Sequence, residues 1–74
     1  VARLSCKAVV ADRIDKFIRE TVPMRARDRC YADALMYARY AKSKLKEGDM
    51  DSAIGSLIAA ERDGMRCKLW PHLK

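Results

Sequence analysis

From Asp28 to Asp63, apolar residues recur at helical spacing, and the pattern breaks once, at Gly48-Asp49. Glycine adopts the left-handed angles that end a helix. Asp49 or Asp51 can cap the exposed amides of the next helix, and both carboxylates suit the positive end of its dipole. The spacing predicts a helix over 28–47 and a second helix that begins at Asp49 or Asp51 and is closed by Asp63-Gly64. On the first, Ala34, Ala38, Ala41 and Leu45 share one face, with Tyr31 and Tyr37 beside them. On the second, Ala53, Ile54, Leu57 and Ile58 form the face to be buried. Rows of small side chains let a neighbouring backbone come close, so the pair reads as an antiparallel hairpin.

A further helix precedes the hairpin, roughly from Leu4 to Thr21. Leu4, Ala11, Ile14, Ile18 and Val22 fall on one face, with Val10 and Phe17 on its flank and Asp12, Lys16, Arg19 and Glu20 opposite. Pro23 limits it, because the residue before proline avoids helical angles. The tail from Met65 to Lys74 carries Trp70, which serves either as a core plug or as an exposed anchor for a partner. Gly and Pro together make only five of the 74 residues, too few for the many turns of an all-β domain. The expectation is one all-α domain over 1–74: an N-terminal helix packed on an antiparallel helix hairpin, with a short C-terminal tail. Folding at this size hides only ~60 % of the unfolded surface, so the core is thin and a homodimer is a natural way to complete it.

Residues 34–65 carry a recognisable register. Tyr37 is a large aromatic, Tyr40-Ala41 a large-then-small pair, and Gly48-Asp49-Met50-Asp51 a glycine-polar-bulky turn; Ala53, Leu57 and Ala60 then alternate small, large, small. This stretch resembles one tetratricopeptide (TPR) repeat, a helix–turn–helix unit of about 34 residues. Lys44 departs from it, standing where the family has a packing tyrosine, and Met65 stands in place of a proline. The resemblance implies a helix hairpin whose ligands lie along its first helix. Arg39 and Lys42 fall at positions that in some members grip a peptide's terminal carboxylate. A single repeat cannot bury its own faces, so the first helix or a second subunit must cover it.

Charge is unevenly spread around a net of +6 and a pI of about 9.6. Residues 48–63 hold four acidic side chains and one basic, while the rest of the chain is basic. One molecule thus offers both halves of a complementary contact. Arg39, Lys42 and Lys46 lie in one narrow strip of the second helix, and Arg25, Arg27 and Arg29 alternate just before it. If that segment turns back beside the strip, six cations share a surface suited to an anionic partner. The reading is a small non-catalytic interaction or regulatory protein that binds an acidic segment of a partner protein. A nucleic-acid-binding regulator is the second choice, because the acidic start of the last helix would repel phosphate and no recognition helix is visible. Tyr31, Tyr37 and Tyr40 could stack on bases, but their helical spacing assigns them to the core.

Cys6, Cys30 and Cys67 are odd in number and far apart, which favours free thiols and a cytoplasmic setting, with one disulfide or a bridge between subunits left open. The apolar patch from Ala8 to Ala11 is too short for a signal-peptide core. The uncharged run from Ser52 to Ala60 is half of what a membrane span needs. Only Cys67 and His72 are near neighbours among metal-ligating or nucleophilic types, and no glycine-rich phosphate loop occurs. Asp49, Asp51 and Asp63 are explained by helix capping. No catalytic residue, metal or cofactor is expected.

Overall fold

The computed structural model describes residues 7–67. Three helices follow in order: α1 (Lys7–Arg27), α2 (Tyr31–Lys46) and α3 (Met50–Met65), with no strand among the described residues. α2 and α3 form the hairpin, and α1 packs chiefly on α2. None of these helices is long and apolar enough to cross a membrane.

The turn at Gly48 is built as its sequence demands. Gly48 takes φ +85°, the one positive φ among the described residues. Its N–H donates to the Leu45 carbonyl at 3.0 Å, and the Asp49 N–H donates to the Lys44 carbonyl at 2.9 Å. These two bonds close the end of α2 in a Schellman motif. Asp49 then caps α3: its Oδ1 accepts the Ser52 N–H at 3.1 Å. The same bond holds the Asp49 carboxyl below its ordinary value of 3.8.

α2 and α3 meet through their smallest side chains. Ala34, Ala38 and Ala41 on α2 are fully buried, as are Ala53 and Ala60 on α3. Gly64 is buried within α3, which runs on to Met65 rather than closing at Asp63-Gly64. Ile58, expected in the core, is 44 % exposed, and Ala60 and Gly64 take the buried positions instead. A face lined with alanines favours a partner face equally shallow. The larger groups fill the spaces to either side. Phe17, Tyr31 and Cys67 pack with Ala34, Ala38 and Ala60 at the open end of the hairpin. Val10, Ile14, Leu45 and Leu57 pack with Ala41 and Ala53 near the turn. Full burial of a side chain such as Ile14 or Leu57 contributes roughly 1.5–3 kcal/mol.

α1 departs from expectation in length and phase. It continues through Pro23 to Arg27. Proline cannot donate to the preceding turn, yet Pro23 is exposed, with Thr21 buried and Met24 packed on the core either side of it. Packing at both flanks carries the helix past the lost bond. The buried face is Val10, Ile14, Phe17 and Thr21, with Ala11 and Ile18 half-buried and Val22 exposed. Val10 and Phe17, expected on the flank, are therefore part of its centre. α2 begins at Tyr31 rather than Asp28, because the Asp28 carboxylate accepts the Cys30 N–H at 2.9 Å and holds these residues in a turn. Of the three tyrosines only Tyr31 is buried, and burial pushes its phenol pKa up. Tyr37 and Tyr40 are 37 % and 51 % exposed.

Cys30 and Cys67 are joined in a disulfide, Cα to Cα 5.9 Å across a separation of 37 residues. This corrects the expectation of free thiols at both positions. The geometry follows from the hairpin: α2 and α3 have 16 residues each, so the end of α3 returns beside the start of α2. Leu4, Cys6 and the tail beyond Cys67, with Trp70, lie outside the described residues.

This packing has two measurable consequences for stability. A closed loop of this length restricts the unfolded chain by ~4 kcal/mol in the chain-entropy treatment. Replacing Cys30 and Cys67 together by serine should lower unfolding stability by that order in a urea titration, with the helical circular dichroism retained in buffer. The Thr21 hydroxyl is buried without a hydrogen-bond partner among the described residues. Thr21→Val keeps the shape and removes that unsatisfied group, so it should raise stability by ~1 kcal/mol in the same titration.

Candidate functional site

The anticipated cations are brought together in two places along the α1–α2 seam, not in one. The first is a groove of about 470 Å³ lined by Val22 and Arg25 of α1 and by Ala32, Leu35, Met36 and Arg39 of α2. Its centre is apolar and its two charges are guanidinium groups. Arg25 and Arg39 have no ion-pair partner among the described residues. Arg25 reaches this groove from α1 only because the helix continues past Pro23.

The second groove, about 310 Å³, lies two to three turns further along α2. Lys42, Leu45 and Lys46 line it from α2, and Lys7, Ala11, Ile14 and Asp15 from α1. Here one cation is already engaged, since Lys42 Nζ lies 3.3 Å from Asp15 Oδ1. Both groups are about half exposed, so the pair is screened and exchangeable. Arg27 and Arg29 line neither groove. Arg27 ends α1, and Arg29 sits in the turn before α2, both exposed. Trp70 cannot be placed, as it falls outside the described residues.

The acidic side chains of α3 are largely committed within the chain. Asp49 caps the helix. Glu61 takes a bidentate contact from Arg13, at 2.8 and 2.9 Å, which ties α3 to α1 and raises the Arg13 pKa. Asp63 lies 3.9 Å from Arg66. Of these acids Asp51 alone is exposed without an ion pair among the described residues. So α3 does not offer a broad acidic face, whereas Arg25, Arg39 and Lys46 have no carboxylate partner among the described residues.

Arg25, Arg39, Lys42 and Lys46 are legible in the sequence, whereas the particular residues of the groove floors and Asp15 are not. Asp15 and Lys42 are paired across helices, and nothing in their local spacing signals it. Val22, expected in the core, lines a groove instead.

Cys67 Sγ is bonded to Cys30, so a Cys67–His72 pair has no thiol in this state. Among the described residues no three His, Cys, Asp or Glu side chains gather as a metal would require. Comparison with protein-family models, with curated proteins and with solved structures gives no match.

Among the described residues, Asp15 is the sole carboxylate lining either groove. Asp15→Asn should release Lys42 and tighten binding of a polyglutamate probe several-fold at low salt, read by fluorescence anisotropy. The gain should shrink as salt is added.

Proposed function

We propose that this chain is a small non-catalytic interaction protein that binds an acidic segment of a partner protein along the α1–α2 seam. The observation that carries this reading is the first groove: an apolar floor of Val22, Leu35 and Met36 between Arg25 and Arg39, two guanidinium groups with no ion pair among the described residues. Its size suits a large apolar side chain, and a carboxylate on either side of that side chain meets an arginine. Arginine holds carboxylates in a planar, bidentate fork, which favours a peptide over a diffuse field of charge. The Lys42–Lys46 stretch extends the same surface for a longer acidic partner.

The TPR-like register of α2 and α3 supports this reading, since in that family the first helix of each repeat carries the ligand. Regulation of the partner is the biological role such a module fits. The disulfide favours an oxidising compartment over the cytoplasm. Nucleic acid remains the competitor on grounds of net charge.

The test uses a fluorescent peptide that alternates Glu with Leu and Phe, alongside a generic DNA duplex. The full chain should bind the peptide, and the double reversal Arg25→Glu/Arg39→Glu should abolish binding with the helical spectrum unchanged. Lys42→Glu/Lys46→Glu should weaken it less. Peptide binding untouched by the arginine reversal would sink the groove assignment. Micromolar duplex binding with a steep salt dependence and no peptide binding would transfer the function to nucleic acid.

A further inference from the structure

α2 carries a second feature that the seam does not use. Asp33, Tyr37, Tyr40 and Lys44 lie within one strip of the helix, spaced four, three and four residues apart. None of the four lines either groove. Tyr37 and Tyr40 are among the largest exposed apolar groups of the described chain. Lys44 Nζ stands 5.3 Å over the Tyr40 ring and donates to Glu47 at 3.3 Å, so the lysine end of the strip is held in place. Asp33, at the other end, has no ion pair among the described residues.

The order of these residues is self-complementary. The midpoint of Tyr37 and Tyr40 falls between Ala38 and Arg39, and so does the midpoint of Asp33 and Lys44. A two-fold axis through that point, with two α2 helices antiparallel, sets Tyr37 against Tyr40 of the second copy. The same operation sets Asp33 against Lys44, twice. A two-fold contact needs this property, that the patch meet itself. Tyrosine is enriched at such contacts, having a large ring and a polar tip. The flank of the hairpin leaves room. Glu61 faces Arg13 and Ile54 packs with the α1 cluster, which marks the α1 side of α3. By helical phase the opposite margin is Ser52, Ser56 and Ala59, side chains too short to shield a helix laid along α2, and it ends at Asp63, which lies 3.9 Å from Arg66.

We infer that this strip is a homodimer interface, in which two copies of the chain pair antiparallel along α2 through Tyr37 and Tyr40, with Asp33–Lys44 contacts at both ends. Along the helix it spans only ~16 Å, so the dimer is small and of modest affinity. The strip borders the first groove only at Met36 and lies away from Arg25 and Arg39, so pairing leaves the guanidinium groups of both copies accessible. The dimer then presents two anion-binding grooves, which raises avidity for a partner with repeated acidic segments. The interface itself rests on the strip alone and does not depend on what the grooves bind.

A charge exchange tests it. Sedimentation velocity across a concentration series should show the full chain in reversible monomer–dimer equilibrium. Asp33→Lys alone places two ammonium groups together at each end of the contact, and Lys44→Glu alone places two carboxylates together there. Each should weaken self-association at least about tenfold. An equimolar mixture of the two variants restores opposite charges between unlike copies and should associate well above either variant alone. Tyr37→Ser/Tyr40→Ser should abolish association with helical content retained. A chain that stays monomeric to millimolar concentration overturns the proposal, as does a mixture that associates no better than the single variants. Peptide binding by the Asp33→Lys variant, measured as above, separates failure of the dimer from failure of the groove.

Discussion

The close contact of α2 with α3 through alanine and glycine is the constraint on which the rest depends. It fixes which face of each helix is buried and leaves the larger apolar groups to fill the two ends. Phe17 and Tyr31 go to the open end, and Ile14 and Leu57 to the end near Gly48. It also leaves Leu35 and Leu45 on a flank of α2 that the hairpin alone does not cover, and α1 packs there. Both grooves exist because α1 reaches across α2 at that seam.

The same contact creates the covalent link. Cys30 lies 18 positions before Gly48 and Cys67 lies 18 positions after Asp49. In an antiparallel hairpin of equal arms, residues equidistant from the turn come together. A thin three-helix core gains from such a link, because it restricts the unfolded chain at no cost in buried area. That symmetry is present in the sequence. Cysteine number and spread point the other way, since those are statistics of frameworks with many bridges. A single bridge is better judged from the turn outward.

The charge pattern changes meaning once the helices are in place. On the sequence the last helix is acidic and the remainder basic, which suggests two opposed faces. In the fold, Asp49 is taken up by a helix cap, Glu61 by Arg13 and Asp63 by Arg66. On the α1–α2 seam, Arg25, Arg39 and Lys46 keep no ion pair among the described residues and stand around apolar floors. The aromatic residues divide in a similar way: Tyr31 is core, whereas Tyr37 and Tyr40 are surface.

Local rules carry a good deal of this protein. Helical periodicity, the Gly48 stop, the Asp49 cap and the alanine face of α2 are all legible, because each depends on neighbours within a turn or two of chain. The cations of the seam are legible as residues, though not as two separate grooves. What the tertiary structure alone decided is the phase of α1, its continuation through Pro23, the exposure of Ile58 and Tyr37 and the Asp15–Lys42 pair. Each of these turns on what a second helix presents at a given point. A helix with apolar residues over a wide arc has several acceptable faces, and only the shape of its neighbour selects one.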